Sequence, residues 1–468
     1  MLFVELRFFI FFAVVLGVYW SLQQNHHRKF FLLAASYYFY GSWDWRFVCM
    51  LFGLSVADYF LSRAIFASGS PGWRKVLVSL SIAMNLSVLC FFKYFNFFTA
   101  STVALAHHLG IHLSDFTLRV ILPVGISFFT FQSLSYTIDV YRREIAPARS
   151  LLDYLMFAGF FPQLVAGPIV RPKYFLPQLD SPRSFSSVEL KPLLLLFLLG
   201  FFKKTCLADN ISPYVDQVFK DPAGFTCLSS ITAVWLYATQ IYCDFSGYSD
   251  MAIAVAGLMG FQLVLNFDAP YLATSIQDFW RRWHISLSSW IRDYIYVSLG
   301  GRSAKIYLTY RNLLLTMLAG GLWHGAAWTF VIWGGLHGMA LVVNHECRRI
   351  FGDGRSPLPI PAFLGWLVTI NFVCLAWITF RAPDFATCLT ILKHYLLIAP
   401  GGHRMIPVWL VGFAPGLLVV QLLMRKWALV KSLAQAPWTS FALSYGCLWA
   451  ITLALLPLGY RPFIYFQF

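Results

Sequence analysis

Long apolar stretches alternate with short polar ones along this chain. Runs of spanning length lie near 2–20, 47–66, 76–98, 118–138, 151–170, 188–202, 226–243, 250–265, 306–322, 325–343, 362–380, 407–424 and 438–457. A shorter run, FFLLAASYYFYGSW at 30–43, suits an interfacial or re-entrant segment. A helix needs ~20 apolar residues to cross a bilayer, so the pattern predicts roughly 11 to 13 membrane segments. Open strands leave backbone groups unsatisfied in lipid, and the two-residue alternation of a membrane barrel is absent. The predicted class is therefore all-α, a multi-pass integral membrane protein. No fixed-period repeat and no matched pair of broken helices is found, so residues 1–468 read as one membrane domain.

The polar interruptions add direction. Basic groups cluster in HHRK at 26–29, between Arg63 and Lys75, and in RRE at 142–144. RRI at 348–350 leads into GDGRSPLPIP, a Gly/Pro cluster that should end a helix. Segment 266–305 holds Arg281, Arg282, Arg292, Arg302 and Lys305 against Asp268, Asp278 and Asp293, five minus three, or +2. Basic connections favour the cytoplasmic face, and this segment is expected there. FPQLVAGPIVRP, 161–172, has three prolines and a glycine and cannot form a continuous helix. At membrane depth such backbone needs protein or a water-filled cavity around it.

Composition agrees. Of 468 residues, 59% are hydrophobic and 12% charged, and the mean hydropathy is +0.66. A soluble domain averages ~45–50% apolar and ~25% charged residues. The net charge of +15 sits in short connections, so it points to cytoplasmic loops and not to nucleic acid. Nine cysteines form no CxxC pair, and neither a metal site nor a disulfide framework is expected. The N-terminal run lacks a small-residue cleavage site and reads as a retained first span.

Few residues could carry chemistry. In QDFWRRWHISLSSWIRDYIY, aromatic and apolar positions recur at spacings of three and four, which predicts one amphipathic helix at the membrane surface. Trp280 and His284 would share a face of it, and Asp278 would pair with Arg282. Taken alone, His284 reads as an interfacial structural residue. His324, in GLWHGAAWTF, lies between two strongly apolar runs, where ionisable groups are costly. A neutral imidazole tolerates that depth. From periodicity, a core histidine bonded to a carbonyl and a functional histidine stand side by side. Glycines at 320, 321 and 325 favour function by leaving space for another molecule, although small-residue helix packing would also use them. With that space, replacing His324 should change stability little.

His337 follows His324 by 13 residues, a rotation of ~220° on one straight helix, and is given a packing or supporting role. YCDFSGYSDMA, 242–252, places Asp244, Ser246, Ser249 and Asp250 between two runs. Two readings stay open there: a helix break capped by Asp244 or Ser246, and a polar tunnel lining. No nucleophile elbow, phosphate loop or HExxH is present.

The two histidines sit in recognisable blocks. LLAASYYFYGSWDW, LPVGISFFTFQSLSYTIDVYRRE, FFPQLVAGPIVRP, YCDFSGYSDMAIA, the stretch from NFDAPYLATSIQDFWRRWH to YVSLGG, and GLWHGAAWTFVIWGGLHG occur in order. Together they resemble the membrane-bound O-acyltransferase family, in its bacterial polysaccharide O-acetylation branch. The chain past residue 345 adds little. The resemblance implies a helical funnel with a transmembrane tunnel and a catalytic core at about 118–345. It makes His324 catalytic and His284 its companion near the cytoplasmic mouth. Trp280, Arg281, Arg282, Arg292, Asp244, Ser246 and Trp323 become substrate-binding candidates. The implied donor is a cytoplasmic thioester, acetyl-CoA, with no bound cofactor and no metal. The implied acceptor is a hydroxyl of a secreted polysaccharide of the alginate or cellulose type. Implied partners are a periplasmic or membrane-anchored SGNH-like protein, a polysaccharide synthesis or export complex and membrane lipid, in a bacterial inner membrane. A sister branch transfers D-alanine to teichoic acid. A transporter or flippase without covalent chemistry is the reading from another class.

Overall fold

Where the apolar runs are uninterrupted, helices form as the hydropathy pattern requires. The computed structural model describes residues 1–114, 117–118, 121–352, 361–425, 428–457, 459 and 463. Among them there is no strand, only an isolated bridge between Phe225 and Arg404. The Gly/Pro cluster expected to end a helix falls largely on 353–360, outside the described residues, as do 119 and 120 of the run 118–138.

The chain divides into two compact units, one of residues 1–193 and 252–264, the other of 194–251 and 265–468. In chain order the helices are α1 Leu6–Ser21, α2 Asn25–Gly41, α3 Arg46–Ala67, α4 Pro71–Leu89, α5 Phe95–His108, α6 Ile126–Tyr141, α7 Leu151–Gly159, α8 Phe161–Leu164 and α9 Pro172–Leu179. There follow α10 Leu190–Phe202, α11 Asp209–Lys220, α12 Cys227–Leu258, α13 Ile276–Arg282, α14 Ile285–Ile291, α15 Ile306–His324, α16 Trp328–Phe351 and α17 Ala362–Arg381. The last are α18 Phe385–Tyr395, α19 Phe413–Arg425, α20 Ala428–Gln435 and α21 Trp438–Ala454.

Three described helical stretches combine the length and apolarity to cross a bilayer: Arg46–Ala67, Pro71–His108 and Ala362–Arg381. The protein is thus helical and multi-pass. The sequence run 151–170 breaks into α7 and α8, followed by an irregular stretch to Pro172. Every residue from 160 to 172 is buried, so protein supplies the surroundings that the prolines demand. Gln163 Nε2 donates to the Phe157 carbonyl at 2.6 Å there.

In the first unit, buried Asp58 on α3 accepts hydrogen bonds from Ser81 Oγ at 2.6 Å and Asn85 Nδ2 at 3.0 Å, both on α4. Where hydrocarbon surrounds a helix pair, such bonds hold it together in place of a hydrophobic drive. In the second unit, α15 and α16 form an antiparallel hairpin whose backbones touch. A Cβ on Gly321 would lie 2.3 Å from the Phe330 carbonyl oxygen, and one on Gly334 would lie 2.3 Å from that of Met317.

Two expectations are corrected. The two runs flanking YCDFSGYSDMA are one helix, α12, of 32 residues, so Asp244 and Ser246 cap nothing. The predicted amphipathic helix over 277–296 is two short helices, α13 and α14, broken at Trp283 and His284. Periodicity alone could not see that break, because the aromatic stripe continues on either side of it.

Candidate active site

All of the site lies in the second unit. Ser275 starts α13 by accepting the Asp278 N–H at 3.1 Å, as an N-cap should. The helix ends after two turns, and His284 takes a left-handed conformation, φ 41° and ψ 56°. Such a conformation is rare for a residue other than glycine and needs neighbours that hold it. The irregular segment before α13 supplies them. Asp268 N–H donates to the Arg282 carbonyl at 3.0 Å, and Ile285 N–H donates to the Asn266 carbonyl at 2.9 Å. The turn points the His284 ring inward, fully buried. There it meets Phe245 of α12 edge-on at 4.6 Å between centroids. His284 lies in this break and outside the candidate spans, and burial pushes its ring down to about 3. The ring is neutral at pH 7.

His324 arrives from the opposite direction, as the last residue of α15. Its ring is 3% exposed. It packs against Trp323 at 4.9 Å, Trp333 at 5.0 Å and Phe380 at 5.2 Å between centroids. The His284 and His324 rings are 6.4 Å apart, with Trp323 5.9 Å from His284. The two sequence-predicted histidines therefore share one buried aromatic pocket.

The glycines beside His324 play a different part from the one expected. Gly321 is occupied by the backbone of α16, and a Cβ on Gly325 would collide with the Phe330 ring at 2.1 Å. Only Gly320 has ordinary room, with its nearest atom 3.7 Å away on Ile291. Helix packing consumes the space, and aromatic rings enclose the imidazole.

The straight-helix argument about His337 also fails, because the chain breaks between His324 and Trp328. His337 is fully buried on α16, 4.7 Å from the Trp333 ring that also contacts His324. Trp280 Nε1 donates to His337 Nδ1 at 3.2 Å. Trp280 thus pairs with His337 and not with His284. The bond leaves Nε2 as the protonated nitrogen of a neutral His337.

Asp244 and Asp250 stay inside α12 because lysines meet them. A π-helical turn, Lys203–Ala208, brings two consecutive lysines against α12. Lys204 Nζ lies 2.6 Å from Asp244 and 2.7 Å from Asp209, and Lys203 Nζ lies 2.7 Å from Asp250. The Lys204 and Asp244 side chains are 4% exposed, so each charge relies on its partner. Gly200 and Gly247 let the two backbones approach, since a Cβ on either would fall within 2.6 Å of the other's carbonyl oxygen. Ser246, also on α12, is buried. Sequence reasoning missed Lys203 and Lys204, whose signal was a charged doublet closing the run LLLLFLLGFF. It also missed Trp333, Phe380 and Asn266, which no local pattern distinguishes from core residues.

A cavity of about 1040 Å³ opens beside the histidine pocket. Its walls include Trp280, Arg281, Arg292, Arg302, Arg348 and Arg349, and among the described residues no carboxylate lines it. Of the candidate binding residues, Trp280, Arg281 and Arg292 reach the walls. Arg282 is instead turned to Asp278, with Nε 2.9 Å from its carboxylate. Asp244, Ser246, Trp323 and the two histidines are not among its described lining residues. Trp280 on the cavity wall meets Trp333 at 5.7 Å, and Trp333 meets His324 at 5.0 Å. The arrangement offers a basic chamber for an anionic molecule and a dry imidazole pair joined to its wall by two indoles.

Known proteins resemble the whole of this region. The chain is 38% identical over 384 residues to a peptidoglycan O-acetyltransferase of Helicobacter pylori, covering 76% of this chain and 71% of that protein. It is 40% identical over 381 residues to a probable alginate O-acetylase, AlgI, of Pseudomonas aeruginosa, covering 80% and 71%. A teichoic acid D-alanyltransferase of Streptococcus thermophilus is 30% identical over 281 residues, covering 55% and 68%. The profile of the membrane-bound O-acyltransferase family matches residues 75–382, a stretch that contains His284, His324 and the basic chamber. With that match and those identities, the chain belongs to the membrane-bound O-acyltransferase family and is an O-acyltransferase.

Proposed function

We propose that this protein transfers acetyl groups from acetyl-CoA toward hydroxyls of an extracytoplasmic polysaccharide, and that it does so in a bacterial inner membrane. The observation that carries the reading is the buried His284–His324 pair beside an arginine-lined chamber. The phosphates of coenzyme A suit those arginines by charge and by geometry. Relatives named for O-acetylation, near 40% identity, cover 76–80% of this chain, against 55% for the D-alanyltransferase, which supports acetyl over D-alanyl.

In this reading a neutral His324 nitrogen takes the proton of the acceptor hydroxyl as that oxygen bonds to the thioester carbonyl carbon. The carbon–sulfur bond breaks. The imidazolium returns the proton to the departing thiolate, which leaves as the free thiol of coenzyme A. General-base assistance of this kind contributes ~10²–10⁴ in rate. His284 supplies a second neutral ring to the same pocket, and the aromatic walls exclude water that would otherwise hydrolyse the thioester. Asp244 acts through its ion pair with Lys204 and takes no part in proton transfer. A periplasmic or membrane-anchored SGNH-like protein, working with a polysaccharide synthesis or export complex, receives the acetyl group or hands it to the sugar.

The test is radiolabelled transfer by purified protein. Acetyl-CoA and a D-alanyl-loaded carrier protein are offered separately, with de-acetylated polysaccharide and the candidate partner present. Label moving from acetyl-CoA is expected. Use of the carrier alone would replace this reading with D-alanylation, and no transfer from either would favour a transporter.

A further inference from the structure

Beside the bond from Asp268 to the Arg282 carbonyl, the His284 turn is held by Asn266. Asn266 is 1% exposed and reaches the turn twice. Its carbonyl accepts the Ile285 N–H at 2.9 Å, and its Oδ1 faces the Ser286 N–H at 3.4 Å. On its other side, Asn266 Nδ2 donates to Ser249 Oγ on α12 at 3.1 Å. Ser249 lies four residues beyond Phe245 and so on the same face of α12. Phe245 is the residue whose ring meets the His284 ring at 4.6 Å. One face of one helix therefore sets both the backbone of the turn, through Asn266, and the place of the ring, through Phe245. The Lys204 and Lys203 pairs keep α12 continuous through this region.

We propose that Asn266 is a positioning residue for acyl transfer: it ties the His284 turn to α12 and so sets where the His284 ring stands against His324. This rests on the reading that His284 takes part in transfer. The side-chain amide is suited to the task because it offers an acceptor to Ser286 and a donor to Ser249 at once, with no charge to bury.

The experiment compares Asn266→Ala, Asn266→Asp, His284→Ala and the double variant Asn266→Ala/His284→Ala, at matched amounts of folded protein in detergent. A displaced catalytic group costs up to ~100-fold in rate. Asn266→Ala should therefore lower kcat ~10-fold or more while leaving KM for acetyl-CoA nearly unchanged. Asn266→Asp keeps the acceptor for Ser286 but loses the donor to Ser249 and buries a carboxyl group, so it should also stay slower than the parent. The decisive arm is the double variant, which should be no slower than His284→Ala alone. A further drop there would mean that Asn266 acts on the fold and not through His284, and would overturn the proposal. So would parent-like kcat for Asn266→Ala while His284→Ala is impaired. If His284→Ala itself transfers normally, the reading of His284 falls first, and the proposal with it. Should Asn266→Ala not fold, Ser249→Ala frees the same side chain while keeping Asn266, and unchanged kcat in that variant would equally overturn the proposal.

Discussion

The rings of His284 and His324 lie 6.4 Å apart, although 40 residues separate them in the chain. One stands at a left-handed break between two short helices and the other at the end of a long one. The break and the helix end place their imidazole rings in the same aromatic pocket. That convergence is the geometry on which the functional reading rests.

His324→Gln and His324→Ala should each lose at least ~100-fold in acetyl transfer, because an amide has no useful proton affinity near neutral pH. The two should differ in stability. The ring is packed by Trp323, Trp333 and Phe380, so alanine leaves a void costing of order 2–5 kcal/mol, while glutamine fills part of it. Transfer assays at matched folded amounts, with thermal unfolding in detergent, check both. Activity of His324→Gln within a few-fold of the parent would remove His324 from the chemistry.

Gly321→Ala and Gly320→Ala form a contrast one residue apart. At 321 the new methyl would meet the Phe330 carbonyl oxygen at 2.3 Å and Gly334 Cα at 3.0 Å, both backbone. The hairpin must separate, at a cost of about 1–3 kcal/mol or more. At 320 the nearest atom is 3.7 Å away, and the substitution should be tolerated. Equal melting temperatures for the two variants would refute the backbone-contact account.

Removing Lys204 should harm folding more than removing one of its partners. Lys204→Met leaves Asp209 and Asp244 buried without their shared cation, a loss of about 3–5 kcal/mol. Asp244→Asn keeps a hydrogen-bonding group beside Lys204 and should retain folded protein and near-parent turnover. If folded Asp244→Asn is inactive, Asp244 belongs to the chemistry.

His284 should leave a signature in the pH dependence of stability. Its ordinary value is 6.5, and burial holds the folded ring near about 3. As pH falls below 6.5 the unfolded chain takes up a proton that the folded protein refuses. The stabilising contribution is therefore complete above 6.5 and is lost as pH drops toward the folded value. The melting temperature of His284→Gln should fall less than that of the parent between about pH 7.5 and about pH 5. Parallel curves would show that the buried ring is charged or reachable by solvent in the folded protein.

Hydropathy is a local property, and so the helical class, the multi-pass character and the ends of α3 and α15 were legible in the order of residues. The two histidines were legible as well, because an ionisable ring between apolar runs stands out against its neighbours and because the blocks around it resemble a family. Their proximity was not. It depends on a left-handed turn at His284 that no periodicity announces and on hydrogen bonds from Asn266, which is distant in sequence. The break expected at Asp244 vanished for a related reason. A buried carboxylate looks like an interruption until its lysine is found, and Lys204 reaches it from another helix. The glycines near His324 were visible, but whether they left space or consumed it depended on α16 folding back against α15. What a residue costs or contributes when buried is decided by the partner that meets it there, and only the folded chain chooses that partner.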